Sequence, residues 1–406
     1  MYKVVRNEAY DFYNENYATV YPQIHKYPAT MLPQIGIEIL KEFGVKSSAK
    51  LLDPYCGSGS SFASGLEVGI TNMAGYDLNP LAILISSVKF TRVSIDELFK
   101  TKIELKKHIY DFLANETKEI EIPQITNMDF WFKPNVIKYL GIIKHFVDRI
   151  NNEKIRNFYL LVLSELIREC SNTRNNEFKL FRMKPEDILA FNPDVLGLFW
   201  DKCEKTIEIY QKNYLNKIDN LDIKFSQNAF DGQGEYDVVL TSPPYGDSRT
   251  TVAYGQFSTL SNEWLGVSKA REIDKILMGG SKNKEIIKSS LISDHINTIY
   301  NLDEKRAYDV NAFYCDLNKS ITDVAKAVRK KGISVYVVGN RMVKGIRLPT
   351  DQFIAESFTN NGFKHLITYE RLLSNKTMPK SNSPTNKSGI TKETMNYEYI
   401  VCCIKQ

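Results

Sequence analysis

The sequence predicts a doubly wound α/β fold, a mostly parallel sheet interrupted by a large helical insertion. Three observations carry that prediction. Short apolar runs ending in a polar residue recur at both ends of the chain, each followed by a turn and a helical pattern. A glycine-rich turn, Cys56-Gly57-Ser58-Gly59-Ser60, follows the first clear run. Between about Val93 and Asn220 the strand signals vanish and apolar residues recur at helical spacing.

The elements follow in order. Lys50 to Asp53 is a short apolar strand ending in an acid, and the glycine turn leads from it into a helix over Ser61 to Val68. A second strand, Asn72 to Tyr76, ends at Asp77. Asn79-Pro80 then opens another helix, because Asn caps well and Pro suits the first helical position. Tyr139 to Val147 and Phe158 to Leu163 mark helices of the insertion. Strands return at Ile223–Phe225 and Tyr236–Leu240. A polar segment rich in charged residues runs from Gly246 to about Asp309. A long helix follows from Val310 to Lys330, and then a β-branched strand over Ile333–Val338. A helix at Asp351–Asn360 and strands at Lys364–Tyr369 and Tyr397–Ile404 complete the pattern, with a Ser-, Asn- and Lys-rich loop over Ser374–Thr394.

These α/β parts flank the insertions, so one domain of residues 1–92 and 221–406 is expected. A helical insertion interrupts it at 93–220, and a second insertion lies within it at 246–309. The length of 406 residues alone would allow two or three domains. A hydrophobic content of 43% excludes a disordered or collagen-like chain. No apolar run approaches the roughly 20 residues of a membrane helix. The start, MYKVVRNEAYDFYNEN, does not read as a signal peptide, so a cytoplasmic protein without membrane association is expected. The six cysteines lack paired CxxC spacing, and no metal site is expected. A net charge of +5 permits a nucleic-acid partner without demanding one.

Three constellations carry chemistry. In Asp53-Pro54-Tyr55-Cys56-Gly57-Ser58-Gly59, glycines let a ligand approach the backbone where the N–H groups of a helix start face it. The dinucleotide pattern G-x-G-x-x-G fails, because Phe62 stands where the third glycine belongs. Asp77 closes the next strand, where an acid suits ribose hydroxyls. Finally, the strand ending in Thr241-Ser242-Pro243-Pro244-Tyr245 offers hydroxyl and carbonyl acceptors on a stiff turn, plus an aromatic ring. Acceptors beside a stacking face suit a flat heterocycle with an exocyclic amine.

On these residues the chain resembles the amino-methylating DNA methyltransferases that use S-adenosylmethionine. DPYCGSG matches the family's motif I and TSPPY its motif IV, in the form associated with cytosine-N4 methylation. The resemblance covers roughly 20–92 and 221–406. It implies a Rossmann-like methyltransferase sheet with an antiparallel C-terminal strand. It also implies S-adenosylmethionine as cofactor, double-stranded DNA as substrate and a cognate restriction endonuclease as companion. Catalysis would fall to Ser242, Pro243, Pro244 and Tyr245. Cofactor contacts would come from His25, Tyr27, Pro28 and Ala29 (motif X), from Asp53, Pro54, Tyr55, Cys56, Gly57 and Gly59, from Asp77, Leu78 and Asn79, and from Asn228, Ala229 and Phe230 (motif III). Many cytosine-N4 enzymes place motif IV before motif I, and this chain has the reverse order. Adenine-N6 and RNA base-amine methylation stay open as alternatives. For DNA, the residues after TSPPY supply Arg249, Tyr254 and Gln256, and the basic stretch Arg168 to Arg182 supplies Arg174, Lys179 and Arg182. Lys376 to Lys392 adds further bases.

Overall fold

The computed structural model describes residues 2–15, 21–115, 119–174, 177–247, 251–281, 283–373, 381–382, 392–393 and 396–406. Its main sheet has eight strands: β1 (Val4–Arg6), β2 (Lys50–Asp53), β3 (Asn72–Tyr76), β4 (Asp222–Ser226), β5 (Tyr236–Thr241), β6 (Val328–Gly339), β7 (Phe363–Leu372) and β8 (Tyr397–Lys405). They lie in the order β1-β7-β8-β6-β5-β2-β3-β4. Every neighbouring pair is parallel except the two made by β8, which runs antiparallel to both β6 and β7. This is the α/β architecture with an antiparallel C-terminal strand that the sequence predicts.

The central strands are apolar on both faces, as a buried parallel sheet requires. Alternate residues therefore enter two separate cores. Leu51, Val238, Leu240 and Val335 join one core, while Leu52, Val239, Tyr336 and Val338 join the other. The first core is covered by α1 (Pro33–Glu42), α2 (Ser60–Glu67), α3 (Pro80–Phe90) and, from residues 93–220, α4 (Ile95–Asn115), α5 (Pro134–Val147), α6 (Glu153–Cys170) and α7 (Val195–Tyr210). To these it adds α8 (Tyr254–Trp264). The second core is covered by α9 (Ser293–Leu302), α10 (Glu304–Ala327) and α11 (Thr350–Asn360). Side-chain caps start several of these helices. Asn79 accepts from the Leu81 N–H, Asn152 from Lys154 and Ile155, and Asp303 from Arg306.

Residues 93–220 contribute Phe158, Leu161, Leu140 and Trp200 to the same hydrophobic cluster as Ile35, Phe62 and Ile85 of α1–α3. Segment 246–309 enters both cores, through Phe257, Leu260 and Trp264 on one side and Ile292, Ile296 and Ile299 on the other. Its polar composition conceals these spaced apolar residues.

Three boundaries differ from expectation. Strand β1, unmarked by the sequence pattern, pairs with β7 at the sheet edge. The long helix starts at Glu304 instead of Val310, because Asp303 caps it. It stops at Ala327, and Val328 already pairs with Tyr236. The exposed bases Arg329 to Lys331 then form an irregularity, with Lys331 at φ 67°, before the strand resumes at Ile333.

The chain leaves β2 toward β3 and leaves β5 toward β6, in opposite directions along the sheet. The crevice at the C-terminal ends of β2 and β5 is therefore the topological switch point, where doubly wound sheets hold ligands.

Candidate active site

A cavity of about 640 Å³ opens at that switch point. Its floor is the turn after β2. Gly57 and Gly59 have φ of +48° and +88°. An added Cβ on Gly59 would lie 2.6 Å from the Phe90 ring, so both the conformation and the space demand glycine there. Helix α3 grips the turn from beneath. The Ser86 hydroxyl donates to the Gly57 carbonyl at 2.6 Å, and the buried Lys89 ammonium donates to Ser58 at 2.9 Å. Burial lowers the Lys89 pKa to about 7.

Two acids stand at the strand tips, and burial raises each to about pKa 6. Their hydrogen bonds separate their parts. Asp53 accepts from Thr241 at 2.5 Å, from the Tyr55 N–H at 3.0 Å and from Ser61. Those bonds tie together β2, β5, α2 and the turn, so Asp53 acts as a pin. Asp77 accepts one backbone N–H on each oxygen, from Gly57 at 3.0 Å and Asn79 at 2.8 Å. A carboxylate oxygen has a second acceptor site, so Asp77, at the cavity wall, suits a ligand with two adjacent hydroxyls.

The Ser242–Tyr245 turn closes the opposite side. The Ser242 hydroxyl donates to the Val337 carbonyl at 3.0 Å. A carbonyl can only accept, and the Tyr245 hydroxyl 3.4 Å away, its own hydrogen given to Glu398, can only accept from Ser242 too. The single Ser242 hydrogen is therefore spent within the protein, at the shorter contact to Val337, which leaves Ser242 as an acceptor. The Tyr245 hydroxyl donates to Glu398 at 2.9 Å, and Arg371 pairs with the other oxygen of Glu398. Burial and the Glu398 carboxylate hold the Tyr245 phenol well above its usual pKa, so it stays neutral. Asp247 steadies the end of the turn by accepting from Arg306 at 3.0 Å and Arg341 at 2.9 Å.

Of the residues singled out by sequence, Tyr27, Ala29, Asp53, Pro54, Tyr55, Cys56, Gly57, Asp77, Leu78, Asn79, Asn228, Ala229, Phe230, Ser242 and Pro244 line this one cavity. His25 does not. Its ring is buried between the Lys26 carbonyl and the Ser164 hydroxyl of α6, and burial lowers its pKa. Pro28, Gly59, Pro243 and Tyr245 adjoin lining residues in sequence without lining the cavity themselves. Tyr254, read from sequence as a DNA contact, lines the cavity and lies 6.0 Å from Tyr27, ring to ring. Gln256 is half-buried on the same helix. Arg174 pairs with Glu177 at 3.3 Å on the surface, Lys179 is half-buried, and Arg182 donates to the Phe130 carbonyl at 3.0 Å. Arg168 is buried and donates to Phe257 and Glu177 carbonyls, so it faces inward. Arg249, and the bases from Lys376 to Lys387, lie outside the described residues.

Sequence reasoning missed two groups. Lys275, Met278, Ser281, Asp316, Lys319, Ser320 and Asp323 line the cavity from segment 246–309 and α10. Val337, Arg371 and Glu398 hold the Ser242–Tyr245 turn from β6, β7 and β8. No local motif marks them; the spacing of Asp316, Lys319, Ser320 and Asp323 on one helix face is the only signal. Among the described residues, no cluster of His, Cys, Asp and Glu could hold a metal, and no helix is long and apolar enough to cross a membrane.

Over 97% of its length the chain is 37% identical to the type II methyltransferase M.MvaI of Kocuria varians, and the match covers 93% of that protein. A shorter match, 33% identical over 26% of this chain and 20% of the other, is to the type II methyltransferase M.MjaII of Methanocaldococcus jannaschii. Among solved structures, the rRNA methyltransferase aviRa of Streptomyces viridochromogenes aligns over 94% of this chain and 88% of its own, at 10% identity and a TM-score of 0.33. No family model matches the chain.

Proposed function

The chain belongs to the type II methyltransferases, and on that premise we propose that it methylates the exocyclic N4 amine of a cytosine flipped out of duplex DNA, with S-adenosylmethionine as methyl donor. It would serve as the modification enzyme beside a cognate restriction endonuclease, in the cytoplasm.

The cavity suits the cofactor. Asp77 carries two acceptor sites for the ribose hydroxyls, the open backbone of Gly57 admits close approach, and Asn228, Ala229 and Phe230 offer a wall for the adenine. Tyr27, Ala29 and Met31 line the end that the resemblance assigns to the methionine part. When bound, the cofactor supplies an electrophilic methyl group, and the chain's own residues bind, orient and exclude water.

The observation that carries the reading is the Ser242 hydroxyl. With its hydrogen committed to Val337, it presents lone pairs to the cavity and can only accept from an amine there. An amine N–H bonded to Ser242, and another to the neighbouring Pro243 carbonyl, would draw the nitrogen lone pair out of conjugation with the base ring. The lone pair would then aim at the methyl group, and positioning of this kind supplies much of the rate. Extruding the base costs about a few kcal/mol. Tyr245, its hydroxyl fixed by Glu398, offers a ring of set orientation on which the base can stack for about 1–3 kcal/mol. No Pro-Cys dipeptide occurs in the chain, so the covalent attack used for carbon-5 methylation has no nucleophile in the expected position.

Expression in a host lacking DNA methylation, followed by nucleoside mass spectrometry of its DNA, tests this. N4-methyldeoxycytidine is the expected product. N6-methyldeoxyadenosine instead would overturn the choice of base, and unmodified DNA beside methylated RNA would overturn the substrate.

A further inference from the structure

Close to the cavity wall, the described residues on either side of Glu177 pair as two short antiparallel arms, here called the hairpin. Thr173 bridges Arg182 in antiparallel fashion, and the Arg174 N–H donates to the Phe181 carbonyl at 2.8 Å. Its aromatic residues point the wrong way for a core. Phe178 is 53% exposed and Phe181 44% exposed, and Phe130 beneath Arg182 is 44% exposed. Grouped exposed aromatics mark a binding surface. The segment 173–184 also carries four basic residues, Arg174, Lys179, Arg182 and Lys184, against one acid, Glu177.

The hairpin is rigidly placed. The buried Arg168 guanidinium donates to the Glu177 carbonyl of the hairpin and to the Phe257 carbonyl of α8, and lies 4.4 Å over the Phe257 ring. Phe178 is 6.4 Å from Phe257, ring to ring, and Phe257 is 6.1 Å from Tyr27, which lines the cavity. An exposed ring thus stands two ring contacts from the pocket, on a basic mount.

We propose that this hairpin is the duplex-facing edge of the site and that Phe178 inserts into the base stack, filling the gap left when the target base enters the cavity. The proposal rests on the DNA reading above. An extruded base leaves apolar base faces exposed to water, and an apolar wedge inserted between base steps covers them. Arg174, Lys179 and Arg182 lie where phosphates would flank such a wedge. A partner protein would also suit exposed aromatics, but the excess of bases and the link to the cavity favour nucleic acid.

The test uses single-turnover methyl transfer to two oligonucleotide duplexes bearing the site that the wild-type protein modifies. One is fully paired and the other is mismatched at the target base, which lowers the cost of extrusion. Phe178→Ala is expected to slow transfer to the paired duplex by about tenfold or more, and to the mismatched one by less than about twofold. Cofactor affinity should stay unchanged, and Phe178→Trp should restore the paired rate. Equal loss on both duplexes would overturn the wedge, as would wild-type rates on both, which would hand the aromatic face to a protein partner. Failure of the wild-type protein to modify any paired duplex would sink the DNA reading itself, and the wedge with it.

Discussion

Asp77 faces two demands that pull against each other. Burial raises its pKa to about 6, yet the hydroxyl recognition proposed for it needs the ionised form. Affinity for S-adenosylmethionine should therefore weaken as pH falls through about 6. Calorimetric titration across that range should show the decline, and Asp77→Asn should bind at least about tenfold more weakly with a flatter pH profile. The same shift acts on stability with a definite sign. The folded carboxyl takes up its proton near pH 6 and the unfolded one near 3.8, so this group makes the fold less stable as pH rises across that window. Ser242 makes a sharper prediction. Ser242→Ala removes one acceptor and leaves Gly57, Asp77 and Asn228 to Phe230, the residues proposed to hold the cofactor, in place. Turnover should fall by about 10²-fold or more, with cofactor affinity within about twofold of wild type. Parallel tritium-transfer and titration measurements decide it, and unchanged turnover would remove Ser242 from the reaction.

At the scale of elements, the turn between β2 and α2 is the most constrained piece of backbone in the site. Gly59→Ala forces a side chain into positive φ and against the Phe90 ring, 2.6 Å away. Unfolding in urea should show a loss of about 1–3 kcal/mol. Cofactor affinity should drop as well, since the same turn forms the cavity floor. The turn after β5 is different in kind. Its orientation depends on Val337, Glu398 and Arg371, each on another strand. The acceptor residues were legible because they are consecutive in sequence. Their supports were not, because Glu398 lies 153 residues from Tyr245 and reaches it only through sheet order. Tyr254 shows the same limit. Next to a polar loop it reads as a surface contact, and helix α8 turns it into the cavity.

For the molecule as a whole, the helices of 93–220 cover the face that α1–α3 would otherwise expose, with α3 packed on α6 and Phe158 in the core with Phe62. A chain lacking 93–220 should not fold cooperatively, because that apolar face would meet water. A broad or absent thermal transition and loss of soluble monomer are the expected readouts. A sharp transition would instead show an independent methyltransferase core.

The sequence by itself determined the order of the central strands and the helices beside them, the two acids at strand tips, the glycine turn and the Ser242–Tyr245 turn. Each is written in a few adjacent residues, and local backbone sterics and hydrogen bonding act over that range. Only the tertiary structure decided that these turns share one cavity, that the hydrogen of Ser242 is spent on Val337 and that His25 faces α6 instead of the cavity. It also decided that an exposed phenylalanine, Phe178, stands two ring contacts from the cavity wall at Tyr27. Those outcomes depend on sheet order and on which groups burial leaves paired, and contacts between residues far apart in the chain, 95 apart for Ser242 and Val337, leave no local pattern to read.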